Sequence, residues 1–271
     1  MDASRLSCTT VTFGGKLTEK LKAMKEAGFG ATEIWPRDFY EHNEGPDIAL
    51  DMLDSLGMGV SCYQNLRNFE GMPERLRQRK SNIATQLFDQ MRLMRCETLV
   101  LCSNIAPDSS SDTGRIADDL RMLGDLAAPY GVRVAWEPIC WGRWIKDYRD
   151  AWNIVQKVNH PQIGLVLDSF HVLALNLPVE PIADIDPKKI FLVEVADMPG
   201  GTLDFLEVSR SFRLFPGEGV TPIPSFMKQV RKSGYSGCYS VEVFNTYYQT
   251  QGLNEIARRA MASLIPLFEG A

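Results

Sequence analysis

Four short runs decide the fold: Val134-Ala135-Trp136-Glu137-Pro138, Val166-Leu167-Asp168-Ser169-Phe170-His171, Phe191-Leu192-Val193-Glu194 and Tyr239-Ser240-Val241-Glu242. Each is a mostly apolar run that arrives at a carboxylate. Helix-like segments separate them, so they read as parallel strands joined by helices. One acid then stands near the C-terminal end of each strand. In a (β/α)8 barrel that end carries the chemistry.

Working outward, the first half supplies the rest of such a barrel. Leu6 to Phe13 reads as a strand ending at Gly14-Gly15, and Leu17 to Ala27 has helical apolar spacing stopped by Gly28. Ala31 to Pro36, Val60 to Leu66 and Thr98 to Ser103 are further strands, with helices at Ile48–Leu56, Pro73–Met94 and Thr113–Tyr130. In the second half, helical segments fall near Tyr148–Val158, near Val172–Asn176, at Pro222–Ser233 and at Leu253–Glu269. No Ser/Gly linker or low-complexity block divides the pattern. The expectation is α/β, a single (β/α)8 barrel over residues 1–271. Two segments exceed a barrel turn, Trp35 to Pro46 and Pro199 to Gly219. Both follow strands and should cover the top face as walls or lids.

The totals exclude several classes. A net charge of −5 argues against nucleic acid as the main partner, since phosphate binding needs a basic face. Cys8, Cys62, Cys96, Cys102, Cys140 and Cys238 form no Cys-x-x-Cys pair and lie largely in apolar runs. They read as reduced core thiols of an intracellular, cytoplasmic protein. Met1 to Arg5 shows no basic leader before a long apolar stretch, and no run approaches a membrane span. The sequence allows a homo-oligomer without specifying one.

Four strand-end carboxylates side by side repel one another, and burying them uncompensated is costly. One such acid is best explained by an arginine or lysine at the rim. Four on consecutive strands favour a divalent cation held by Glu137, Asp168, Glu194 and Glu242. All-oxygen ligation suits Mg²⁺ or Mn²⁺, with Co²⁺ as a further candidate. His171 follows Asp168 on the same turn and is the candidate general acid or base. His160, beside Pro161 between a helix and a strand, reads as a structural residue at the barrel bottom, and His42 has a weaker claim. Three histidines are too few for a His-rich multi-zinc site.

Arg67, Arg143 and Arg213 sit in loops that should converge on one face. Together they form a candidate receptor for a small, hydroxylated anionic substrate, because arginine forks match carboxylates and phosphates. Pro216-Gly217-Glu218-Gly219 reads as a shaped loop more than a functional one. No GxGxxG, Walker or serine-nucleophile motif is present.

With these residues in view, the chain resembles the xylose-isomerase-like barrels, and within them the 3-dehydroshikimate dehydratases. The matching pieces include Gln64-Asn65-Leu66-Arg67-Asn68-Phe69-Glu70-Gly71, Gly164-Leu165-Val166-Leu167-Asp168-Ser169-Phe170-His171, Ala196-Asp197-Met198-Pro199 and Ser240-Val241-Glu242-Val243-Phe244-Asn245. The resemblance implies a Mg²⁺- or Mn²⁺-type site made by Glu137, Asp168, Glu194 and Glu242. It implies conversion of 3-dehydroshikimate to protocatechuate through an enolate, with loss of water. His171 is then the candidate base, Glu137 and Glu242 are further catalytic candidates, and Arg67, Arg213, Arg143 and Ser209 bind substrate. Three positions depart from the family wording. Glu194 stands where Gln or His is usual, and Trp144 and Ser211 stand where His is common. Alternatives are a sugar or keto-sugar isomerase or epimerase on the same metal site, and a non-catalytic barrel that binds a small anion.

Overall fold

The computed structural model describes residues 2–40, 45–202 and 204–269. Eight strands close into one parallel barrel in sequence order. They are β1 (Leu6–Thr9), β2 (Ala31–Ile34), β3 (Gly59–Arg67), β4 (Thr98–Cys102), β5 (Arg133–Glu137), β6 (Ile163–Asp168), β7 (Ile190–Val195) and β8 (Tyr239–Val241). The helices are α1 (Leu17–Ala27), α2 (Pro36–Tyr40), α3 (Pro46–Leu56), α4 (Glu74–Leu93), α5 (Thr113–Ala127), α6 (Tyr148–Val158), α7 (Ser169–Ala174), α8 (Phe205–Ser211), α9 (Ile223–Lys232) and α10 (Leu253–Glu269). The expected (β/α)8 architecture is therefore the one found.

Strand alternation divides each strand's side chains between two compartments. Val134 and Trp136 of β5 and Leu165 and Leu167 of β6 point outward and join the large core beneath the helices. Cys62, Val100, Ala135, Val166 and Leu192 point inward and form a separate apolar plug in the barrel. The next inward positions toward the C-terminal ends are Gln64, Cys102, Glu137, Asp168 and Glu194, all buried. The plug thus floors a polar mouth.

Local chemistry sets the element ends. Asp112 caps α5 by accepting from Gly114 and Arg115 N–H, and Asp147 caps α6 by accepting from Arg149 N–H. Gly28 ends α1 at φ 104°, a left-handed conformation that glycine adopts without a Cβ clash. Gly124 has another reason. A Cβ there would lie 2.4 Å from His160 Nδ1, which accepts from Gln162 N–H while Nε2 faces Asp125 at 3.3 Å. His160 is thus a packing residue between α5 and the start of β6.

The structure differs from the sequence reading in two places that matter. β1 stops at Thr9, because a 3-10 turn, Thr10–Thr12, follows it directly. The helix expected near Val172–Asn176 begins earlier, at Ser169. Asp168 causes this by accepting from Phe170 N–H at 2.8 Å, so one strand-end carboxylate is also a helix cap. His171 is thereby fixed in the first turn of α7. The long segment 199–219 contains α8, and His42 lies outside the described residues. Among the described residues no helix is long and apolar enough to cross a membrane.

Candidate metal centre and active site

Parallel register brings the strand ends level. Cys102 stands opposite Glu137, and Asp168 opposite Glu194. Glu242 follows β8 directly. Glu137, Asp168, Glu194 and Glu242 each place one carboxylate oxygen within 4.8 Å of the others, and all four are buried. Such a ring of oxygens fits a hard or intermediate divalent cation, and Glu194 Oε2 has no hydrogen-bond partner at all. These side chains could hold one.

Two cations of the chain itself already face the ring. Arg213, 2% exposed, places Nη1 2.9 Å from Asp168 Oδ2 and 2.8 Å from Glu242 Oε2. Its Nη2 donates to Ser209 Oγ at 3.1 Å, and its guanidinium lies 4.4 Å from the centre of the Phe170 ring. His171 Nε2 is 3.3 Å from Glu137 Oε1 and 3.5 Å from Asp168 Oδ2. On the other side of the ring, Cys140 N–H donates to Nδ1 at 3.4 Å. Nε2 also lies 3.4 Å from Arg213 Nη2.

The electrostatics follow. Burial opposes a charge on His171, but the Asp168 and Glu137 carboxylates outweigh it and raise its pKa to about 10. Burial likewise opposes ionisation of Glu137, yet its contact with His171 holds the carboxyl below its ordinary range. Glu194 and Glu242 move the other way. Burial raises both, and their carboxylate neighbours add to the rise, with Arg213 pulling against it at Glu242. The ring is divided into a charged side near His171 and a side that favours protons unless a cation replaces them.

Not every expected residue reaches this point. Arg67 is exposed at the rim, where Nε donates to Asn65 Oδ1 at 2.9 Å and its guanidinium lies over Trp35. Arg143 is exposed over the Trp144 ring and is absent from the cavity wall among the described residues. Trp144 is held aside too, its Nε1 donating to Ser109 O at 2.9 Å. Ser211 closes α8 and is likewise absent from that wall. Arg210, which the sequence reading passed over, lines the cavity between Trp141 and Phe244.

Two further buried residues were also missed. Gln64 Nε2 shares its two hydrogens among three acceptors, Glu33 Oε2 at 2.9 Å, Glu242 Oε1 at 3.0 Å and Glu194 Oε1 at 3.1 Å. Glu33, from β2, is thus a fifth acid in contact with the ring. The Ala-Asp-Met-Pro piece has a supporting role. Asp197 accepts from Gly217, Gly219 and Thr221 N–H and from the Thr221 hydroxyl, which ties the 216–221 loop down. Glu218 points away to Arg259 and Tyr248.

The xylose isomerase-like TIM barrel family model matches residues 21–267. The chain belongs to the xylose isomerase-like TIM barrel family. Within that family it is 36% identical over 263 residues to a 3-dehydroshikimate dehydratase of Pseudomonas putida, covering 97% of this chain and 41% of that protein. The chain therefore spans about two fifths of the length of that curated relative. A solved xylose isomerase-like TIM barrel/4-hydroxyphenylpyruvate dioxygenase fusion protein superposes with a TM-score of 0.95 at 36% identity, over 98% of this chain and 42% of that one. An inosose isomerase of Bacillus subtilis is 32% identical over 152 residues, 55% of this chain and 53% of that protein.

Proposed function

We propose that this barrel is a divalent-metal-dependent lyase that converts 3-dehydroshikimate to protocatechuate and water. The observation that carries the reading is the 36% identity to a 3-dehydroshikimate dehydratase across 97% of the chain. The site is chemically suited to the reaction. Glu137, Asp168, Glu194 and Glu242 would hold the ion, Mg²⁺ or Mn²⁺, with Co²⁺ as a substitute. When bound, that ion supplies a Lewis acid for the substrate ketone and a positive charge that offsets the carboxylate field on His171.

The chain's own residues then divide the proton work. The substrate loses a proton from the carbon beside the ketone, and the electron pair left there expels the β-hydroxyl. Glu137, ionised and lining the cavity, takes that proton. His171 presents a protonated Nε2 to the same cavity and hands a proton to the departing hydroxyl. This assigns His171 the acid role, where the family resemblance made it the candidate base. Loss of water and enolisation yield the aromatic ring, which makes the step irreversible. Arg213 and Ser209 orient the substrate carboxylate and hydroxyls, Arg210 closes the wall, and Arg67 attracts the anion from the rim. Positioning of this kind can contribute several kcal/mol of the barrier, up to about 7–11 in favourable cases.

The test is incubation of Mn²⁺-loaded protein with 3-dehydroshikimate, watching for the ultraviolet band of the catechol product. The product band should appear. Interconversion of an inosose without that band would favour a keto-sugar isomerase, in line with the Bacillus subtilis relative. Neither activity, with metal bound, would leave a barrel that only binds a small anion.

A further inference from the structure

Below the ring lies a second polar layer in which only Glu194 has a task in the proposed reaction. It consists of Thr9, Glu33, Cys62, Glu194 and Ser240, every one 0% exposed. Register sets them side by side. Thr9 stands opposite Glu33, Glu33 opposite Cys62, and Glu194 opposite Ser240. Closure of the barrel joins β8 to β1. Glu33, Cys62 and Glu194 each offer a ligand atom within 4.8 Å of the other two.

Gln64 satisfies only one oxygen of each carboxylate, Glu33 Oε2 and Glu194 Oε1. Glu194 Oε2 and the Thr9 hydroxyl have no partner, while the Ser240 hydroxyl and the Cys62 thiol turn toward the Glu33 carboxylate. Buried polar atoms of folded proteins are nearly always bonded. An unpartnered carboxylate oxygen and an unpartnered hydroxyl, fully buried beside a second carboxylate and a thiol on neighbouring strands of the closed barrel, call for one shared partner. Charge points the same way. Five buried acids, Glu33, Glu137, Asp168, Glu194 and Glu242, face one buried guanidinium, Arg213. With His171 protonated, one divalent ion and Arg213 still leave about one negative charge in a medium that tolerates uncompensated charge poorly.

We infer that Glu33, Cys62 and Glu194, completed by the hydroxyls of Ser240 and Thr9, form a second divalent-cation site that shares Glu194 with the first. The inference rests on the first ion site of the proposed function. Mixed oxygen and thiol donors suit Mn²⁺, Co²⁺ or Zn²⁺ better than Mg²⁺ or Ca²⁺. It also assigns a task to the carboxylate at position 194, where a neutral ligand would serve the first ion alone. The competing occupants are protons, since burial raises the pKa of both Glu33 and Glu194.

The experiment counts ions. The full chain, stripped with chelator and reloaded with Mn²⁺, is freed of excess metal, assayed for manganese and examined by electron paramagnetic resonance. The expected result is about two Mn²⁺ per chain with the spectrum of an exchange-coupled pair. Glu33→Gln should fall to about one Mn²⁺ with the hyperfine pattern of an isolated ion. If that variant fails to fold, Ser240→Ala should weaken the second ion by roughly tenfold or more and leave the first unchanged, as loss of a supporting ligand does. One isolated Mn²⁺ in the parent, unaltered by Glu33→Gln or Ser240→Ala, would overturn the second site and leave the first standing. No bound Mn²⁺ at all would overturn both.

Discussion

Arg213 Nη1 lies 2.9 Å from Asp168 Oδ2, inside the same ring of oxygens that would bind the cation. The guanidinium compensates part of the ring's charge whether or not an ion is present. Removing one partner of a buried charge pair typically costs about 3–5 kcal/mol. Arg213→Ala should therefore melt far lower than the parent in chelator. Mn²⁺ should restore much of the loss, because it supplies the missing positive charge. Thermal melts with and without Mn²⁺ check this, and equal destabilisation in both conditions would argue against a shared ring.

His171 separates acid from base roles. His171→Gln should lower dehydration by about 10²–10⁴-fold while metal content stays near the parent value. If His171 protonates the leaving hydroxyl, the variant in D₂O should still exchange the proton beside the ketone. Loss of exchange together with dehydration would return His171 to the base role.

Glu194→Gln removes one buried negative charge and keeps an oxygen ligand. The metal-free variant should be more stable than the parent by on the order of 1–3 kcal/mol, because burial and four neighbouring acids disfavour the ionised form. Denaturant titration in chelator reads the difference. A less stable variant would show that the Glu194 carboxyl is an asset in the protein without metal.

Glu70 gives a pH signature away from the ring. It is 2% exposed, accepts from Asn104 N–H at 2.7 Å, and burial raises its pKa to about 8. The folded protein then holds this proton longer than the unfolded chain does. Its stabilising contribution is complete below the unfolded value and declines as pH rises toward 8, by on the order of a few kcal/mol. Unfolding free energies measured from pH 5 to 8.5 should fall more steeply in the parent than in Glu70→Gln. Parallel curves would remove Glu70 from the account.

The 216–221 loop, which follows Arg213 in the chain, depends on Asp197. Asp197→Ala would strand several backbone N–H groups of residues 217–221 at once. Gly217 is exposed and Gly219 and Thr221 are half-buried, so water replaces part of what is lost and a cost of about 1–3 kcal/mol is expected. Circular dichroism melts and a raised KM for substrate would report it.

Much of this architecture is legible in the chain because β5 to β8 announce themselves twice, by apolar runs and by the acids that close them. The ring's membership follows from barrel closure, which levels residues far apart in sequence. Glu33 escaped notice because Ala31-Thr32-Glu33-Ile34 has no apolar run to mark its end. Only closure of the barrel, with β1 joining β2 to β8, reveals that it points inward. Arg143 and Arg210 were indistinguishable as loop cations. The side on which each stacks, Trp144 for one and Trp141 with Phe244 for the other, decides which reaches the cavity. The early start of α7 could have been anticipated, since Asp168-Ser169-Phe170 has the form of a capped helix start.

A divalent ion in the carboxylate ring is proposed to drive dehydration of 3-dehydroshikimate. The most direct test titrates Mn²⁺ into chelator-stripped protein, reading bound metal and catechol formation in the same samples. The rate should rise in step with loading of the first ion and vanish on return of the chelator. A rate indifferent to loading, or full loading with no catechol formed, would contradict the claim.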